Sequence, residues 1–249
     1  KKIMGKYTFG PVASRRFGLS LGIDLSPDTK SCNFDCLYCE LPFAQTVDSI
    51  KNPPKIVDVL AEVKSALTAH PDTEVLTITA NGEPTLFPDL ENLIDQLIEI
   101  KADKRLLILS NASTIMNPKI QQALLKIETV KLSLDAVTPN VYKKIDRSMN
   151  IPIETIIEGI IEFSKKFQHE LVIEILLVSG INDKLSEFIA LKPILEKISA
   201  KRIDIGTIDR PPAYNVKPVS FEKISMLCEV LDGLPFNIVT KPNVHPAKS

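Results

Sequence analysis

The feature that most constrains this chain is a stretch of eight residues, CNFDCLYC, which holds Cys32, Cys36 and Cys39. No histidine or fourth cysteine lies near it. Thiolates held this close together on a short loop are soft ligands suited to an iron–sulfur cluster or to zinc. A closed structural zinc site takes four protein ligands. A metal bound by these three alone keeps an open coordination position, and a four-iron cluster keeps one iron free to bind another molecule.

The three cysteines have two other interpretations, which stay open at this point. They are incidental buried cysteines, or they belong to a zinc site completed by a remote ligand, Cys228 or His70. Cys228 lies in an apolar helical stripe with Ile224, Leu227 and Leu231, a pattern that favours a core residue.

The composition is that of an ordinary globular protein. Hydrophobic residues make up 44% and charged residues 24% of the chain, which is ample for a sizeable core. Four cysteines, three of them clustered, are too few and too close for a disulfide framework and indicate a reducing compartment. No run of about 18 apolar residues predicts a membrane span. We therefore expect a cytoplasmic protein with no membrane partner.

Short apolar strands alternate with amphipathic helices along the chain. The strand candidates are Leu19–Leu25, Glu74–Thr79, Arg105–Leu109, Thr129–Leu134, Glu170–Val178 and Arg202–Ile208. Their continuous apolar character is typical of parallel strands buried on both faces. The glycine-rich fingerprints of open nucleotide-binding sheets are missing. The pattern therefore predicts an α/β fold with parallel strands, a partial (β/α)6 barrel of the TIM type.

The same pattern predicts one domain over residues 1–249. We expect a basic, irregular N-terminal extension over 1–18, the barrel core over 19–212, and a C-terminal helix and tail over 213–249. Phe221–Leu231 is the last predicted helix, and Phe236–Thr240 is one more candidate strand. Asn117 and Pro118 have the arrangement of an N-cap and a first helical residue.

Polar residues follow the predicted strands. In barrels of this type the chemistry collects at the carboxyl ends of the strands. Each of these residues has a plainer interpretation as a turn or a helix cap. After the cysteine loop, the segments in question are Asn81-Gly82-Glu83-Pro84, Ser110-Asn111 and Ser133-Leu134-Asp135.

Two charged residues are further candidates for catalysis or substrate binding. Glu174 interrupts an apolar strand, so its carboxylate is either paired structurally or faces the barrel interior at a substrate site. Arg210 follows the last core strand, where it would hold a carboxylate or phosphate in two-point geometry or pair with neighbouring acids.

The cysteine spacing, with Tyr38 directly before the last cysteine, resembles the cluster loop of radical S-adenosylmethionine enzymes. Within that superfamily the chain is most similar to the branch related to tRNA 4-demethylwyosine synthase. The resemblance covers most of residues 10–212. The segments that carry it are Gly10-Pro11-Val12-Ala13-Ser14-Arg15-Arg16, CNFDCLYC, Gly82-Glu83-Pro84-Thr85-Leu86 and Arg210-Pro211-Pro212. The family's core fold is also a partial (β/α)6 barrel.

The resemblance implies a cofactor set and a site. Cys32, Cys36 and Cys39 would ligate a 4Fe–4S cluster whose fourth iron binds the amino and carboxylate groups of S-adenosylmethionine. One electron, from a donor such as flavodoxin or ferredoxin, would then produce a 5′-deoxyadenosyl radical that abstracts hydrogen from a substrate. Asn81 stands where the family's GGEP element commonly has its first glycine. The implied S-adenosylmethionine contacts are Tyr38, Gly82, Glu83, Pro84, Ser110, Asn111, Ser133 and Asp135.

Three functions remain open from the sequence. The first is modification of a nucleoside in tRNA, although this chain has no cysteine before Cys32 for the second cluster of the wyosine synthases. Its net charge of −1 gives no electrostatic argument for RNA. The second is an activase that generates a radical on a partner protein. The third is a non-catalytic iron–sulfur protein.

Overall fold

We describe the fold from a computed structural model of the chain, in residues 5–14 and 16–239. The predicted basic residues Lys1, Lys2 and Arg15, together with Thr240 and His245 of the predicted tail, lie outside the described residues.

Within the described residues, one eight-stranded sheet runs in the order β1 to β8. The pairing of β1 with β2 is antiparallel, and every following pair, from β2 to β8, is parallel. Because six of these parallel strands are the six core strands of the sequence analysis, the predicted α/β fold with a partial barrel is confirmed. The strands are β1 Thr8–Ser14, β2 Gly18–Asp24, β3 Val75–Thr79, β4 Arg105–Ser110, β5 Thr129–Ser133, β6 Glu170–Leu177, β7 Arg202–Thr207 and β8 Phe236–Ile238.

The helices connect successive parallel strands and cover the outer face of the sheet. Asn117 caps α3 as predicted, because its side-chain oxygen accepts a hydrogen bond from the Lys119 N–H. Cys228, at the end of α7, is buried in the core as predicted. The helices are α1 Ile56–Ala69, α2 Leu90–Ile100, α3 Pro118–Leu124, α4 Pro139–Ile145, α5 Ile153–Lys166, α6 Leu185–Leu195 and α7 Phe221–Cys228, with 3₁₀ turns at Pro84–Leu86 and Glu229–Leu231.

The structure corrects the prediction that the N-terminal extension is irregular. Residues 8–14 form β1, which pairs with β2 with a shift of register between Phe9 and Val12. The alternation in TFGPVAS is interrupted by glycine and proline, which weakens a strand pattern in the sequence. Because β2 would otherwise be the edge of the sheet, pairing with β1 satisfies its backbone groups.

The barrel interior is apolar at the amino end of the strands. Phe17, in the turn between β1 and β2, packs there against Val75, Leu107 and Val172. Its carbonyl oxygen accepts a hydrogen bond of 2.7 Å from the Arg105 guanidinium. The residues next to Val75, Leu107 and Val172 along each strand belong to a separate core beneath the helices. Because successive residues of a strand point to opposite faces, the cluster of Phe17 fills the inner face. We call these four residues the Phe17 plug.

The interior becomes polar and more exposed toward the carboxyl ends of the strands. Thr77 and Lys131 are buried on the inner face of β3 and β5, whereas Thr79 and Ser133, two residues further along, are half-buried. The interior therefore opens at the edge where the cysteine loop lies. No helix in the described part of the chain has the length and apolar character needed to cross a bilayer.

Candidate active site at the carboxyl edge of the sheet

The cysteine loop follows β2 and is fastened to the turn after β3. Ser31 N–H donates to the Asn81 carbonyl, and Glu83 N–H donates to the Ser31 carbonyl, both at 2.8 Å. Gly82 lies between them with φ of 137°, and a Cβ there would lie 1.8 Å from the Ser31 carbonyl oxygen. Only glycine fits this approach. The turn that the sequence singled out is thus in direct contact with the residue before Cys32.

A second contact of the cysteine loop is with the end of α4. Asp35 N–H donates to the Asp146 carbonyl at 3.1 Å, and Leu37 N–H donates to the Ile145 carbonyl at 2.9 Å. The Arg147 guanidinium pairs with the Asp35 carboxylate and donates from Nε to its carbonyl oxygen. These bonds fix the backbone between Cys32 and Cys39.

The third contact is a segment after β7, residues 208–220, which we call the strap. Ala213 N–H donates to the Cys39 carbonyl at 2.9 Å. Tyr214 hydroxyl donates to the Asp35 carboxylate, 2.8 Å from Oδ2, and its ring lies 4.2 Å from the Arg147 guanidinium carbon. Arg210 pairs with Glu40 at 3.2 Å. The sequence left two alternatives for Arg210, a bound carboxylate or phosphate and a neighbouring acidic residue. In the structure its partner is an acidic residue, Glu40.

Glu83 is buried and organises the site from within. Its carboxylate accepts hydrogen bonds from Thr85 N–H and Oγ1, from Ser110 Oγ at 2.7 Å and from Asn111 N–H at 2.7 Å. Burial raises the pKa of Glu83, and these hydrogen bonds act in the opposite direction. Because both oxygens are occupied, a ligand contact by this turn would come from its backbone.

Asn111 connects the end of β4 to the cysteine loop. Its Nδ2 donates to Asn33 Oδ1 at 3.0 Å and lies 3.7 Å from Cys32 Sγ. Phe34 N–H also points at that sulfur, at 3.5 Å. Two N–H donors directed at one cysteine sulfur are typical of iron–sulfur sites, where such hydrogen bonds tune the reduction potential.

Tyr38 and Asp135, predicted as neighbours in the site, are in contact. The Tyr38 hydroxyl donates to Asp135 Oδ2 at 2.5 Å, and Leu176 N–H donates to Oδ1 at 2.7 Å. The charge of Asp135 acts on a second buried carboxyl group, that of Asp146, whose Oδ1 lies 3.6 Å from Cys36 Sγ. Burial, and then the charge of Asp135, raise the pKa of Asp146 well above its usual range. Asp146 therefore holds its proton more firmly than a free carboxyl group does, beside the cysteine loop.

The thiols suit a cationic iron cluster. Burial, followed by the Glu83 charge, raises the pKa of Cys32 to about 12, and burial also raises that of Cys36. The positive charge of Lys30 lowers the pKa of Cys32, but burial and the Glu83 charge outweigh it, so the thiolate form needs a further positive partner. In the described ranges, 5–14 and 16–239, no three His, Cys, Asp or Glu side chains are grouped as ligands of one metal ion. A four-iron cluster does not require this, because each cysteine binds a different iron.

Ser133, Glu174 and a buried lysine lie on the inner face of the barrel. Ser133 pairs in register with Glu174 on the neighbouring strand. The Glu174 carboxylate pairs with Lys131 and lies 3.4 Å from an Arg16 nitrogen. Glu174 thus meets both alternatives of the sequence analysis at once, since it is paired and also faces the interior.

Comparison with known proteins decides the family. Residues 26–191 match the model of the radical SAM superfamily, where SAM is S-adenosylmethionine. This stretch contains the cysteine loop, and it also contains Gly82, Asn111 and Asp135 at the carboxyl edge of the sheet. The chain belongs to the radical SAM superfamily.

This radical SAM chain is similar in sequence to a curated protein and in fold to solved structures. A UPF0026 protein of Helicobacter pylori is 40% identical over 96% of this chain and 78% of its own length. A structure of TYW1 with a bound lysine–pyruvate adduct has a TM-score of 0.63 at 20% identity, over 86% of this chain and 72% of that one. Streptococcus suis SuiB bound to the precursor peptide SuiA has a TM-score of 0.68 at 18% identity, over 90% and 49%. At these identities the solved structures show the fold, including its likeness to the wyosine synthases.

The radical SAM chain is an enzyme whose cofactors are a 4Fe–4S cluster and S-adenosylmethionine, as predicted. The structure brings the three cysteines, Tyr38, Gly82, Glu83, Pro84, Ser110, Asn111 and Asp135 to one edge of the sheet. Ser133 lies one layer deeper, inside the barrel. Arg210 is exposed on the strap. Their individual roles toward the cofactors remain predictions.

Sequence reasoning missed four residues of the radical SAM site: Asn33, Lys131, Asp146 and Tyr214. Lys131 had a usable signal, because it interrupts the apolar strand TVKLS as Glu174 interrupts its own strand. Asp146 follows a short helix and Tyr214 lies in an irregular segment. Neither position differs in the sequence from an ordinary surface residue.

Proposed function

We propose that this enzyme reductively cleaves S-adenosylmethionine and directs the resulting radical at a hydrogen atom of a substrate inside the barrel. The observation that carries the proposal is the position of the cysteine loop, which is fastened on three sides over the open end of the interior. When bound, the cluster supplies the electron that cleaves S-adenosylmethionine to a 5′-deoxyadenosyl radical.

The chain's own residues hold the reactants in place and keep water out. The backbone around Gly82 and the amide of Asn111 face the cysteine loop, where they would hold the methionyl end of S-adenosylmethionine. Asp135 follows β5 by two residues and contacts Tyr38 of the cysteine loop, where it would face the nucleoside. Fixed geometry of this kind supports radical transfer, because a displaced radical reacts with whatever is nearest.

We further propose a small flavoprotein or ferredoxin as the electron donor, and a nucleoside in RNA as the first substrate class to test. The fold likeness to TYW1 supports the nucleoside. The likeness to SuiB bound to its precursor peptide favours a peptide as a second candidate.

The test uses the anaerobically reconstituted enzyme with S-adenosylmethionine and dithionite. We expect 5′-deoxyadenosine to form in the wild type and the visible cluster absorbance and the cleavage to be lost together in Cys36→Ala. Cys228→Ala is the matched control, since Cys228 lies in the core away from the loop, and it should keep both. Full iron content in Cys36→Ala would contradict the ligand assignment.

The substrate class is found by isotope transfer. The enzyme is incubated with deuterated tRNA, peptide or metabolite pools, and deuterium in 5′-deoxyadenosine identifies the pool that gave up a hydrogen atom. Deuterium from tRNA supports the nucleoside. Deuterium from peptides or metabolites alone would replace that candidate and leave the cleavage reaction standing.

A further inference from the structure

A charged cluster occupies the inner face of the barrel between the Phe17 plug and the cysteine loop. It consists of Lys131 on β5, Glu174 on β6, Asp204 and Arg202 on β7, and Arg16 from the turn before β2. Charged side chains are rarely retained inside a barrel for stability alone, because their desolvation offsets most of the attraction between them. This position therefore calls for a ligand-based explanation.

The members of the cluster are not equivalent. Asp204 is fully buried, and its carboxylate is satisfied by Arg202 Nε at 2.7 Å and by Arg16. Glu174 keeps 22% of its side chain exposed. Lys131 has three ammonium hydrogens, and Glu174 is the one partner given to it among the residues the structure describes. Lys131 and Glu174 are thus the pair with bonding capacity left for a ligand.

The pair lies on the path from the proposed radical to the barrel floor. Ser133, which is half-buried, is the register partner of Glu174 on the neighbouring strand. Asp135 follows Ser133 by two residues and contacts Tyr38 of the cysteine loop. A molecule held by Lys131 and Glu174 would extend from the floor toward that loop.

We propose that Lys131 and Glu174 bind the carboxylate and the neighbouring hydrogen-bond donor of a small α-amino or α-hydroxy acid. The ligand's carboxylate takes the place of Glu174 as partner of Lys131, while its amine or hydroxyl donates to the carboxylate of Glu174. An α-amino acid, as a zwitterion, conserves both charge and hydrogen bonds in a site where an unpaired charge is costly, whereas an α-hydroxy acid conserves the hydrogen bonds and adds one negative charge. Glu174 disfavours a phosphate dianion, because its two negative charges exceed the one positive charge of Lys131.

This inference rests on the proposed function, in that it names a small substrate of the same barrel. It concerns binding alone and involves no covalent step. Pyruvate, which is bound as a lysine adduct in the TYW1 structure, is a contrasting probe. Its second carbon carries a carbonyl oxygen, which accepts a hydrogen bond, whereas the proposed ligand carries an amine or hydroxyl donor there.

The test is ligand-observed NMR on the reconstituted enzyme saturated with S-adenosylmethionine, which fills the amino-acid site of the cluster. The probes are L-alanine, L-lactate, propionate, pyruvate and inorganic phosphate. We expect alanine and lactate to bind the wild type roughly fivefold or more tightly than propionate, which lacks the donor. Phosphate should bind more weakly than alanine.

Variants assign the site. Lys131→Met should weaken alanine binding by roughly tenfold or more. Glu174→Gln should bring alanine and propionate to within about twofold of each other, because the amide removes the acceptor charge. Lys197→Met, at an exposed lysine of the same chain, should bind alanine as the wild type does.

The wild type alone is sufficient to overturn the inference if a variant fails to fold. Equal affinity for alanine and propionate, or no binding of either, rejects it. A borohydride-trapped pyruvate adduct on Lys131 without alanine binding also rejects it. Formation of 5′-deoxyadenosine, measured in the same preparation, tests the proposed function separately.

Discussion

At the scale of single residues, Glu83 shows how a buried charge fixes a turn. Its carboxylate accepts hydrogen bonds from Thr85, Ser110 and Asn111, and so joins the turn after β3 to the end of β4. In Glu83→Gln, an NH₂ group must face one of these donors. We expect the free energy of unfolding to fall by about 1.5–3 kcal/mol, the cost of losing a hydrogen bond to a buried charge.

Urea unfolding of Glu83→Gln measures this loss. The matched control is Glu99→Gln, at an exposed glutamate of α2, which should change stability by less than about 0.5 kcal/mol. Equal stability of the two variants would mean that the hydrogen bonds of Glu83 are not required to hold the turn.

A residue of the site could be predicted where a pattern in the nearby sequence distinguishes it. Cysteine spacing identified the cluster loop, and a charge in an apolar strand identified Glu174. The same rule applies to Lys131, which pairs with Glu174. Asp146 and Tyr214 reach the cysteine loop only through tertiary contacts, so no pattern near them in the sequence distinguishes them.

At the scale of elements, the turn after β3 depends on the missing side chain of Gly82. Gly82→Ala adds a methyl group 1.8 Å from the Ser31 carbonyl oxygen at a φ of 137°. The backbone has to move, which breaks the bridge between Ser31 and Gly82. We expect a loss of about 2–5 kcal/mol in unfolding free energy from the strain and overpacking together, and a lower iron content after reconstitution.

Gly180→Ala separates the two causes. Gly180 also has a positive φ, 78°, but a Cβ there meets nothing within 4 Å. It should cost about 1–2 kcal/mol from backbone strain alone and leave the iron content unchanged. If both variants lost the same stability and kept their iron, the close approach of Gly82 to Ser31 would have no special role.

The strap is a second element whose contact with the cysteine loop is testable. Tyr214→Phe removes the hydroxyl that donates to Asp35 and keeps the ring against Arg147. Amide hydrogen exchange of residues 35–39 should speed up by roughly tenfold, because about 1.5 kcal/mol of local stability is lost. Tyr7→Phe, in the N-terminal segment before β1, should leave this exchange unchanged. Unchanged exchange in Tyr214→Phe would mean that the strap does not restrain the loop.

The elements were predicted most accurately where their packing is regular. The six core strands have continuous apolar sequences because both faces are buried. Each predicted end of these strands lies within one residue of the observed end. β1 was not predicted, since it pairs by one edge with β2 and carries Gly10 and Pro11. Its strand state comes from that pairing more than from its own composition.

At the scale of the whole molecule, the barrel interior is divided into an apolar floor and a charged layer above it. The Phe17 plug closes the amino end, and the Lys131 cluster lies between that plug and the cysteine loop. The sequence predicts that such a barrel forms. It does not predict this division, because it depends on which alternate residues of non-neighbouring strands face each other.

The charged layer also makes the stability of the whole molecule depend on pH. Burial, and then the Arg16 charge, lower the pKa of Lys131 from 10.5 to about 7, and the charges of Asp204 and Asp135 act in the opposite direction. Between about pH 7 and 10.5 the folded chain therefore binds fewer protons at this position than the unfolded chain. Stability rises with pH wherever the unfolded state binds more protons.

Comparison with Lys131→Met isolates this effect, since the methionine does not titrate and every other group does so in both proteins. We expect the unfolding free energy of the wild type to increase relative to the variant by roughly 2–4 kcal/mol between pH 7 and pH 10. More than about one pH unit below that pKa the difference should level off, because Lys131 is then protonated in both states. A difference that stays flat up to pH 10 would mean that the ion pair with Glu174 keeps Lys131 charged throughout, so that pairing outweighs burial inside this barrel.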